Sequence, residues 1–245
     1  MRIFFGILLT PIYYLLIGLS LLVFHPIQWI CLKLFGYKAH KASVDALNFC
    51  LTYSTVALFN FPVVKNNFEI PKNKPVIFVS NHQSLFDIPG LIYFFRKYHG
   101  KFISKIELLK AKIPSISFNL RHGGGANIDR KDPEQSKNEI HRFAERMKER
   151  NWSAFIFPEG TRTKTGKMKE FKVGGIASII SVIPDITIVP ICINGSFKMI
   201  SKGQFPLIPF HKLSWEVLQP VSAEGRDIEE LIQEVENAIR LKLRD

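Results

Sequence analysis

The stretch PVIFVSNHQSLFDIPG, residues 75–90, contains the transition on which the fold depends. The segment PVIFVS is apolar and rich in β-branched residues, which predicts a buried strand. The polar residues Asn81 and His82 end that strand, and residues 88–97 have the composition of a helix. A buried strand followed by a turn and a helix is typical of α/β proteins.

Strand-like and helix-like segments alternate through the rest of the chain. GGANI, WSAFIFP, ITIVPICI and KLSWEVL are predicted strands. One helix begins with Asp132 as N-cap, Pro133 at its first position and Gln135 completing a capping box. A final helix begins at Asp227, with Glu230 three residues later. We therefore predict an α/β domain with a mixed, largely parallel sheet flanked by helices.

The N-terminal region has a different composition. Thirty residues between Arg2 and Lys33 carry no formal charge, and residues 46–64 form a second, more polar uncharged run. About 20 apolar helical residues suffice to cross a bilayer core. We interpret the two runs as a helical hairpin in or on one leaflet; a single span by the first helix and a buried helix pair remain alternatives. The predicted domains are a membrane-anchoring two-helix segment, 1–63, and an α/β domain, 64–245.

The distribution of charge narrows the choice of partner. The chain has a net charge of +12, and residues 96–172 hold 19 basic against 9 acidic residues, a balance of +10. Such a segment favours nucleic acid, an acidic lipid surface or phosphorylated small molecules. No helix-turn-helix, RNA-recognition or zinc signature is present, so we expect no nucleic-acid partner. Lys33, Lys38 and Lys41 follow the first apolar run, which predicts the cytoplasmic side for the remaining chain.

The three cysteines give no sign of a metal or redox site. Cys31, Cys50 and Cys192 are far apart, and no pair has metal-ligand or redox spacing. We therefore expect buried thiols in a reducing compartment, no bound metal and no disulfide.

Three polar clusters follow three of the predicted strands. They are His82–Asp87, the segment FPEGTR at 157–162 and the segment NIDR at 127–130. In open α/β sheets, sites form beyond the carboxyl ends of strands, so we expect these clusters to converge. Asp87 has two interpretations: it caps the following helix, or it bonds the imidazole of His82 across a turn. In the second case the pair is a base without an enzyme nucleophile, suited to activating a substrate hydroxyl.

The sequences of these clusters resemble the motifs of a known family. NHQSLFD resembles the H-x4-D box of the glycerophospholipid acyltransferases, which include 1-acylglycerol-3-phosphate acyltransferase. KIEL at 105–108, NIDR, FPEGTR followed by FKVGG, and IVPICI at 188–193 are similar to that family's further segments, in its order, over roughly residues 75–195. At the position of Asn127 the family commonly has an aromatic residue, and this difference bears on the shape or polarity of the acceptor pocket.

The resemblance implies an O-acyltransferase that uses no cofactor. His82 would be the general base and Asp87 would orient it, while acyl-CoA or acyl carrier protein would be the donor substrate. Lys105 and Arg130 would hold the acceptor's phosphate, with Arg162 as a further candidate. Glu159 would bond acceptor hydroxyls or steady an arginine, with an ion pair to Arg162 as the structural alternative.

The remaining expectations concern specificity. Gly160 would allow a sharp backbone turn beside the substrate. The resemblance implies transfer to 1-acylglycerol-3-phosphate, giving phosphatidic acid; glycerol-3-phosphate, a lyso-ornithine lipid, another lysophospholipid or a non-catalytic lipid-binding role are the alternatives. The basic segment 161–172 is either a solvated loop or a contact for anionic headgroups or coenzyme A phosphates. RHGGG at 121–125 is similar to a lipase oxyanion loop, but no G-x-S-x-G elbow accompanies it, so we expect a tight turn there.

Overall fold

The stretch 75–90 folds as the sequence predicts in the computed structural model, which describes residues 1–244. Strand β2 comprises Val76–Ser80, and helix α2 comprises Asp87–Phe94. All five residues of β2 are buried. A strand covered on both faces has a continuous apolar sequence, because helices pack on either side of its sheet.

Eight strands form one mixed sheet. Besides β2 they are β1 Phe61–Asn66, β3 Gly100–Lys105, β4 Ala126–Ile128, β5 Ser153–Ile156, β6 Thr187–Asn194, β7 Lys212–Val217 and β8 Val221–Ser222. Their order is β1-β7-β6-β2-β5-β3-β4, with β8 paired to β6. Among the residues that the structure describes, only the pairs β6–β7 and β6–β8 are antiparallel, so the predicted mixed, largely parallel sheet is confirmed.

Helices cover both faces of the sheet. Besides α2 they are α1 Arg2–Tyr53, α3 Ile106–Lys110, α4 Ile116–His122, α5 Pro133–Arg150, α6 Gly174–Ile180, α7 Ser196–Met199 and α8 Ile228–Lys242. Successive sheet residues alternate between two cores: Ile77 and Val79 face α5, α6 and α8, whereas Phe78 faces α1 and α2. The buried stripe of α5 is the predicted one, Ile140, Phe143, Ala144 and Met147.

Both predicted N-caps form. Asp132 accepts a hydrogen bond from Gln135 N at 2.9 Å, and Asp227 accepts one from Glu230 N at 2.9 Å. The predicted capping box at Asp132 is wrong in its second half. The Gln135 side chain accepts instead from Asp129 N at 2.8 Å, because the preceding turn lies within its reach. Gln135 thereby connects α5 to the segment that contains Arg130.

Helix α1 is broken once. Gly36 has φ +77° and ψ −171°, a backbone conformation that favours glycine, and it separates a first limb, residues 2–35, from a second limb, residues 37–53. The uncharged run 46–64, by contrast, is helical only at its start. It comprises the end of the second limb, a 3₁₀ turn at Ser54–Leu58 and the start of β1, which pairs with β7. The expected boundary between residues 63 and 64 falls inside this strand.

The first limb lies along the α/β domain. Thr10 Oγ1 accepts from Leu207 N at 2.9 Å, and nearer the break Ser115 Oγ donates to Leu21 O at 2.7 Å. The opposite side is apolar and exposed, with Leu8, Leu15, Leu22 and Trp29 each at least half accessible. By length and composition α1 could cross a membrane, with a peak mean hydropathy of 2.3.

Candidate active site

His82 and Asp87 form the predicted pair at the carboxyl end of β2. His82 Nδ1 lies 2.9 Å from Asp87 Oδ2. Asp87 occupies the first turn of α2, but its side chain is turned back toward the preceding loop. There Oδ2 also accepts from Gln83 N at 2.7 Å and Ser84 N at 2.8 Å. The carboxylate therefore orders the His82 turn instead of acting as the N-cap of its own helix.

These contacts define which nitrogen of His82 is free. A carboxylate only accepts hydrogen bonds, so Nδ1 carries the proton and Nε2 has a lone pair. The ring stacks on Phe157, with ring centroids 3.8 Å apart and an interplanar angle of 8°. Asp87 is completely buried, whereas the His82 side chain remains 12% exposed. The imidazole is thus fixed in tautomer and orientation and can accept a proton at Nε2.

Glu159 supports His82 from the next strand. Its Oε1 accepts from His82 N at 2.7 Å, and its Oε2 accepts from Lys169 N at 2.9 Å. Burial raises the pKa of this carboxyl group, and the two backbone N–H groups partly oppose that shift. Both oxygens accept from backbone groups, and within residues 1–244 Glu159 forms no ion pair with Arg162, the structural alternative considered for it. A carboxylate has about four lone-pair sites and these contacts use two, so the expected bond to acceptor hydroxyls stays a prediction.

The basic residues lie at the same edge of the sheet. Lys105 is the last residue of β3 and pairs in register with Ile128, two residues before Arg130. Because β2, β5, β3 and β4 are neighbouring parallel strands, their carboxyl ends share one edge. Arg130 donates from Nη1 to the carbonyl of Gly160, which has φ +70°. The three strand-end clusters therefore converge as predicted.

Arg130 and Arg162 contact this edge differently. Partial burial lowers the pKa of Arg130, and the negative charge of Glu107 opposes that shift. Arg162 is exposed, but its neighbour Thr163 donates its backbone N–H to His82 O at 2.9 Å. The basic loop is therefore joined to the His82 turn at its start.

Asn127, which departs from the family's common aromatic residue, bonds within the protein. Its Nδ2 donates to Leu120 O at 3.0 Å, and its Oδ1 is buried without a partner among the described residues. Its backbone carbonyl accepts from Gln135 Nε2 at 3.1 Å. Asn127 thus joins α4 to the arginine segment, and the RHGGG stretch forms the end of α4 and a turn with φ +85° at Gly124.

Sequence reasoning missed several residues that surround the pair. Phe157 stacks on His82, Trp215 Nε1 donates to Asp87 O at 3.1 Å, and Ser196 Oγ donates to Asp87 Oδ1. Phe157 could have been found, since it directly precedes PEGTR at a strand end. Trp215 and Ser196 lie more than 100 positions from Asp87, so no local pattern connects them to it.

A fixed imidazole–carboxylate pair beside exposed basic side chains is the arrangement expected of an enzyme that activates a hydroxyl of an anionic acceptor. A family model described as Acyltransferase matches residues 62–194, more than half of the chain. The chain belongs to this acyltransferase family, and the resemblance seen in the sequence is confirmed.

Individual relatives agree with the family. The chain is 30% identical over 173 residues to a chloroplastic 1-acyl-sn-glycerol-3-phosphate acyltransferase of Arabidopsis thaliana, covering 69% of this chain and 47% of that protein. A chloroplastic enzyme of the same name from Brassica napus is 32% identical over 165 residues, covering 67% and 45%. The chain thus spans about half the length of these curated relatives.

A solved structure extends the likeness to the whole chain. The crystal structure of the 1-acyl-sn-glycerophosphate (LPA) acyltransferase PlsC from Thermotoga maritima superposes with a TM-score of 0.80 at 26% identity. The match covers 98% of this chain and 95% of that one. The predicted fold, including the N-terminal helical region, is therefore the fold of a known acyltransferase.

Proposed function

We propose that this protein transfers a fatty acyl group from an acyl thioester to the free hydroxyl of 1-acylglycerol-3-phosphate, giving phosphatidic acid. The observation that carries the proposal is the 2.9 Å contact between His82 Nδ1 and Asp87, which leaves Nε2 open beside exposed basic residues. The names of the relatives and of the superposed structure support the same acceptor.

The chemistry follows from the open nitrogen. His82 Nε2 removes the proton of the acceptor hydroxyl while that oxygen attacks the thioester carbonyl carbon. The tetrahedral intermediate collapses with cleavage of the carbon–sulfur bond, and the protonated imidazole returns its proton to the leaving thiolate. Asp87 stabilises the imidazolium that exists between these steps. The acyl donor is a substrate, so the reaction uses no cofactor; acyl-CoA and acyl carrier protein are both suitable carriers.

The acceptor's phosphate is assigned to the basic side of the site, which comprises Lys105, Arg130 and Arg162 at the carboxyl ends of the strands. Arg130 has a planar guanidinium that suits phosphate oxygens, and its contact with Gly160 orients it toward the FPEGTR turn. Lys105 and Arg162 add exposed positive charge at neighbouring strand ends. Glu159 is assigned to hold the backbone of His82, in addition to the contact with acceptor hydroxyls that the resemblance implies.

The first limb of α1 supports attachment to the membrane surface. The limb contacts the domain through Thr10 near its start and through Leu21 and His25, which both bond Ser115, further along. The limb cannot leave the domain without breaking these hydrogen bonds. Its outer face exposes Leu8, Leu15, Leu22 and Trp29. Burying a leucine side chain is worth about 1.5–3 kcal/mol, so this face favours insertion among lipid chains. We propose that the hairpin lies in one leaflet and that residues 1–63 are the membrane-anchoring segment of the 64–245 domain.

We place the α/β domain on the cytoplasmic side of the membrane, as the lysines predict. Lys33, Lys38 and Lys41 flank the break in α1 and favour the cytoplasmic surface. Protease digestion of sealed vesicles of known orientation tests this directly. Cleavage of the basic 161–172 loop only from the cytoplasmic side supports the assignment, and cleavage only from the other side contradicts it.

The acceptor is tested with a substrate panel. Purified protein receives acyl-CoA or acyl carrier protein with 1-acylglycerol-3-phosphate, glycerol-3-phosphate, a lyso-ornithine lipid or a neutral monoacylglycerol, and products are measured by mass spectrometry. We expect the highest kcat/KM with 1-acylglycerol-3-phosphate. Faster turnover of the phosphate-free acceptor would refute the phosphate assignment, and no turnover of any acceptor would favour a lipid-binding role.

The membrane assignment has a matched control within the chain. Replacing Leu15 and Leu22 by serine should reduce cosedimentation with phospholipid vesicles. Leu241 is 85% exposed on α8, so Leu241→Ser changes an exposed leucine outside α1 and should leave cosedimentation unchanged. Equal binding of all three proteins would exclude this face as the anchor.

A further inference from the structure

The carboxylate of Asp87 is held from both sides, but by different parts of the chain. Oδ2 receives His82 Nδ1 and two backbone N–H groups of its own turn, those of Gln83 and Ser84. Oδ1 receives the hydroxyl of Ser196, which lies 109 positions away. Ser84 Oγ is 3.5 Å from the same oxygen, too far for a strong hydrogen bond. Ser196 is therefore the principal donor to Oδ1 among the described residues.

The position of Ser196 is imposed by its surroundings. The preceding residue, Gly195, has φ +93°, and a Cβ there would lie 2.1 Å from the carbonyl oxygen of Lys212. Only glycine fits such a turn, because both the backbone conformation and the space exclude a side chain. Ser196 is 1% exposed, so its hydroxyl is shielded from bulk water.

Two further contacts join the Ser196 segment to the His82 turn. Asn81 and Ile193 exchange hydrogen bonds at 2.9 and 2.8 Å, and Gln83 Oε1 accepts from Phe197 N at 3.2 Å. The Ser196 hydroxyl also lies 3.2 Å from Gln83 Oε1. Its single proton goes to Asp87, because a carboxylate is a stronger acceptor than an amide oxygen.

We propose that Ser196 is a positioning residue for the His82–Asp87 pair, fixing the carboxylate by a hydrogen bond to the oxygen opposite the imidazole. This bond sets the rotation of the Asp87 carboxylate and draws part of its charge away from His82. The proposal rests on the proposed function for its kinetic consequences, and on geometry alone for its spectroscopic one.

The kinetic test compares Ser196→Ala with Ser153→Ala. Ser153 is equally buried, but its hydroxyl accepts from Val76 N at the opposite end of the sheet strands. Ser196→Ala should lower kcat about tenfold with KM within about twofold, since a hydrogen bond to a charged group is lost. The acidic limb of its pH–rate profile should move to higher pH, because the carboxylate directs more charge toward the imidazole. Ser153→Ala should change neither kcat nor the pH profile.

A proton NMR measurement needs no substrate. The Nδ1–H that joins His82 to Asp87 should give a downfield resonance that His82→Ala removes. This resonance should shift or disappear in Ser196→Ala and remain in Ser153→Ala. Ser196→Cys retains a weak donor of similar size and should give intermediate kinetics; it serves in place of the alanine variant if circular dichroism finds that variant unfolded.

The outcomes separate the two proposals. A resonance and a pH profile that match wild type in Ser196→Ala would overturn the positioning role, as would equal changes in Ser153→Ala. A wild-type protein without acyltransferase activity, but with a resonance that depends on Ser196, would refute the proposed function and retain the positioning role.

Discussion

The two sides of the candidate site differ in how far the protein itself satisfies their polar groups. On the His82 side, Asp87 is completely buried and accepts from backbone, imidazole and hydroxyl donors. On the basic side, Lys105, Arg130 and Arg162 are exposed, and none forms a salt bridge to a residue in 1–244. One side is complete without substrate, whereas the other has unused donors.

This difference separates chemistry from binding. A general base must be held in one orientation before the proton moves, so its hydrogen bonds belong to the protein. Cationic groups that recognise phosphate gain their partners only when the acceptor arrives. Changes on the His82 side should therefore lower kcat, and changes on the basic side should raise the KM for the acceptor.

Removal of the base should have the largest effect. His82→Ala should lower kcat by about 10²–10⁴-fold, the range that a positioned base contributes, while the KM for the acceptor changes little. Steady-state kinetics with 1-acylglycerol-3-phosphate measure both constants. His141→Ala is the matched control, because His141 is exposed on the outside of α5. A His82→Ala enzyme with undiminished turnover would end the assignment of this imidazole as the base.

Arg130 should show the opposite pattern. Arg130→Ala should raise the KM for a phosphate-bearing acceptor by about 10- to 100-fold, the equivalent of about 1.4–2.7 kcal/mol, with kcat nearly unchanged. Arg130→Lys should recover only part of the affinity, since lysine lacks the planar fork. The same variants should not affect the KM for a neutral monoacylglycerol, where no phosphate is bound.

The exposed Arg142 of α5 supplies the control for this charge change. Arg142→Ala removes the same charge away from the strand ends and should leave both constants near wild type. If Arg130→Ala lowered kcat instead and left KM alone, the division between the two sides would be wrong.

The strands, the helices and the edge at which the site forms can be predicted from the sequence because each depends on residues close together in the chain. Continuous apolar runs indicate buried strands, and apolar residues three to four positions apart indicate helices. Neighbouring parallel strands then bring their carboxyl ends to one edge of the sheet. The N-cap of α5 at Asp132 and its buried stripe depend on nearby residues alone. The resemblance added the roles of His82 and Asp87, which spacing left undecided between capping and catalysis.

What the sequence does not predict depends on register and on contacts between distant segments. Glu159 engages His82 N across 77 positions, and Ser196 engages Asp87 across 109. Both contacts require the sheet order β6-β2-β5, which no single segment encodes. The uncharged run 46–64 predicts helix throughout, and it ends instead in a 3₁₀ turn and β1, because an uncharged composition is common to helices and strands alike. The roles of the basic residues stay predictions.

Glu159 should have a moderate effect that belongs to the His82 side. Its two oxygens hold His82 N and Lys169 N, and glutamine can accept through only one of them. Glu159→Gln should therefore lower kcat about tenfold by loosening either the His82 backbone or the basic loop. Trypsin cleavage within residues 161–172 should also become faster. Glu170→Gln, an exposed change in the same loop, should alter neither. A raised acceptor KM with normal kcat in Glu159→Gln would move this residue to the binding side.

The smallest expected effect concerns the attachment of the second limb of α1 to the domain. Lys101 Nζ lies over the rings of Tyr37 and Trp152, at 5.3 and 5.1 Å from their centroids. Burial, followed by the nearby charge of Lys41, lowers the pKa of Lys101 to about 7, although Asp45 opposes the shift. Between about pH 7 and the ordinary lysine pKa, the unfolded chain holds this proton and the folded protein does not. Stability attributable to Lys101 should therefore rise with pH across this window.

The rise is limited to about 1.4 kcal/mol per pH unit, and it is about 1 kcal/mol between pH 7 and 8, because the folded protein still holds part of this proton near its pKa of about 7. For a chain of this size that corresponds to about 2–4 °C in Tm. Lys101→Met preserves the aliphatic contact with the rings and should remove this increment, whereas Lys97→Met, at an exposed site, should retain it. Thermal unfolding of the three proteins in the same detergent at both pH values decides the matter. If wild type and Lys101→Met show the same change of Tm with pH, Lys101 has the same protonation in the folded and unfolded chain. The lowered pKa of Lys101 in the folded protein would then be wrong.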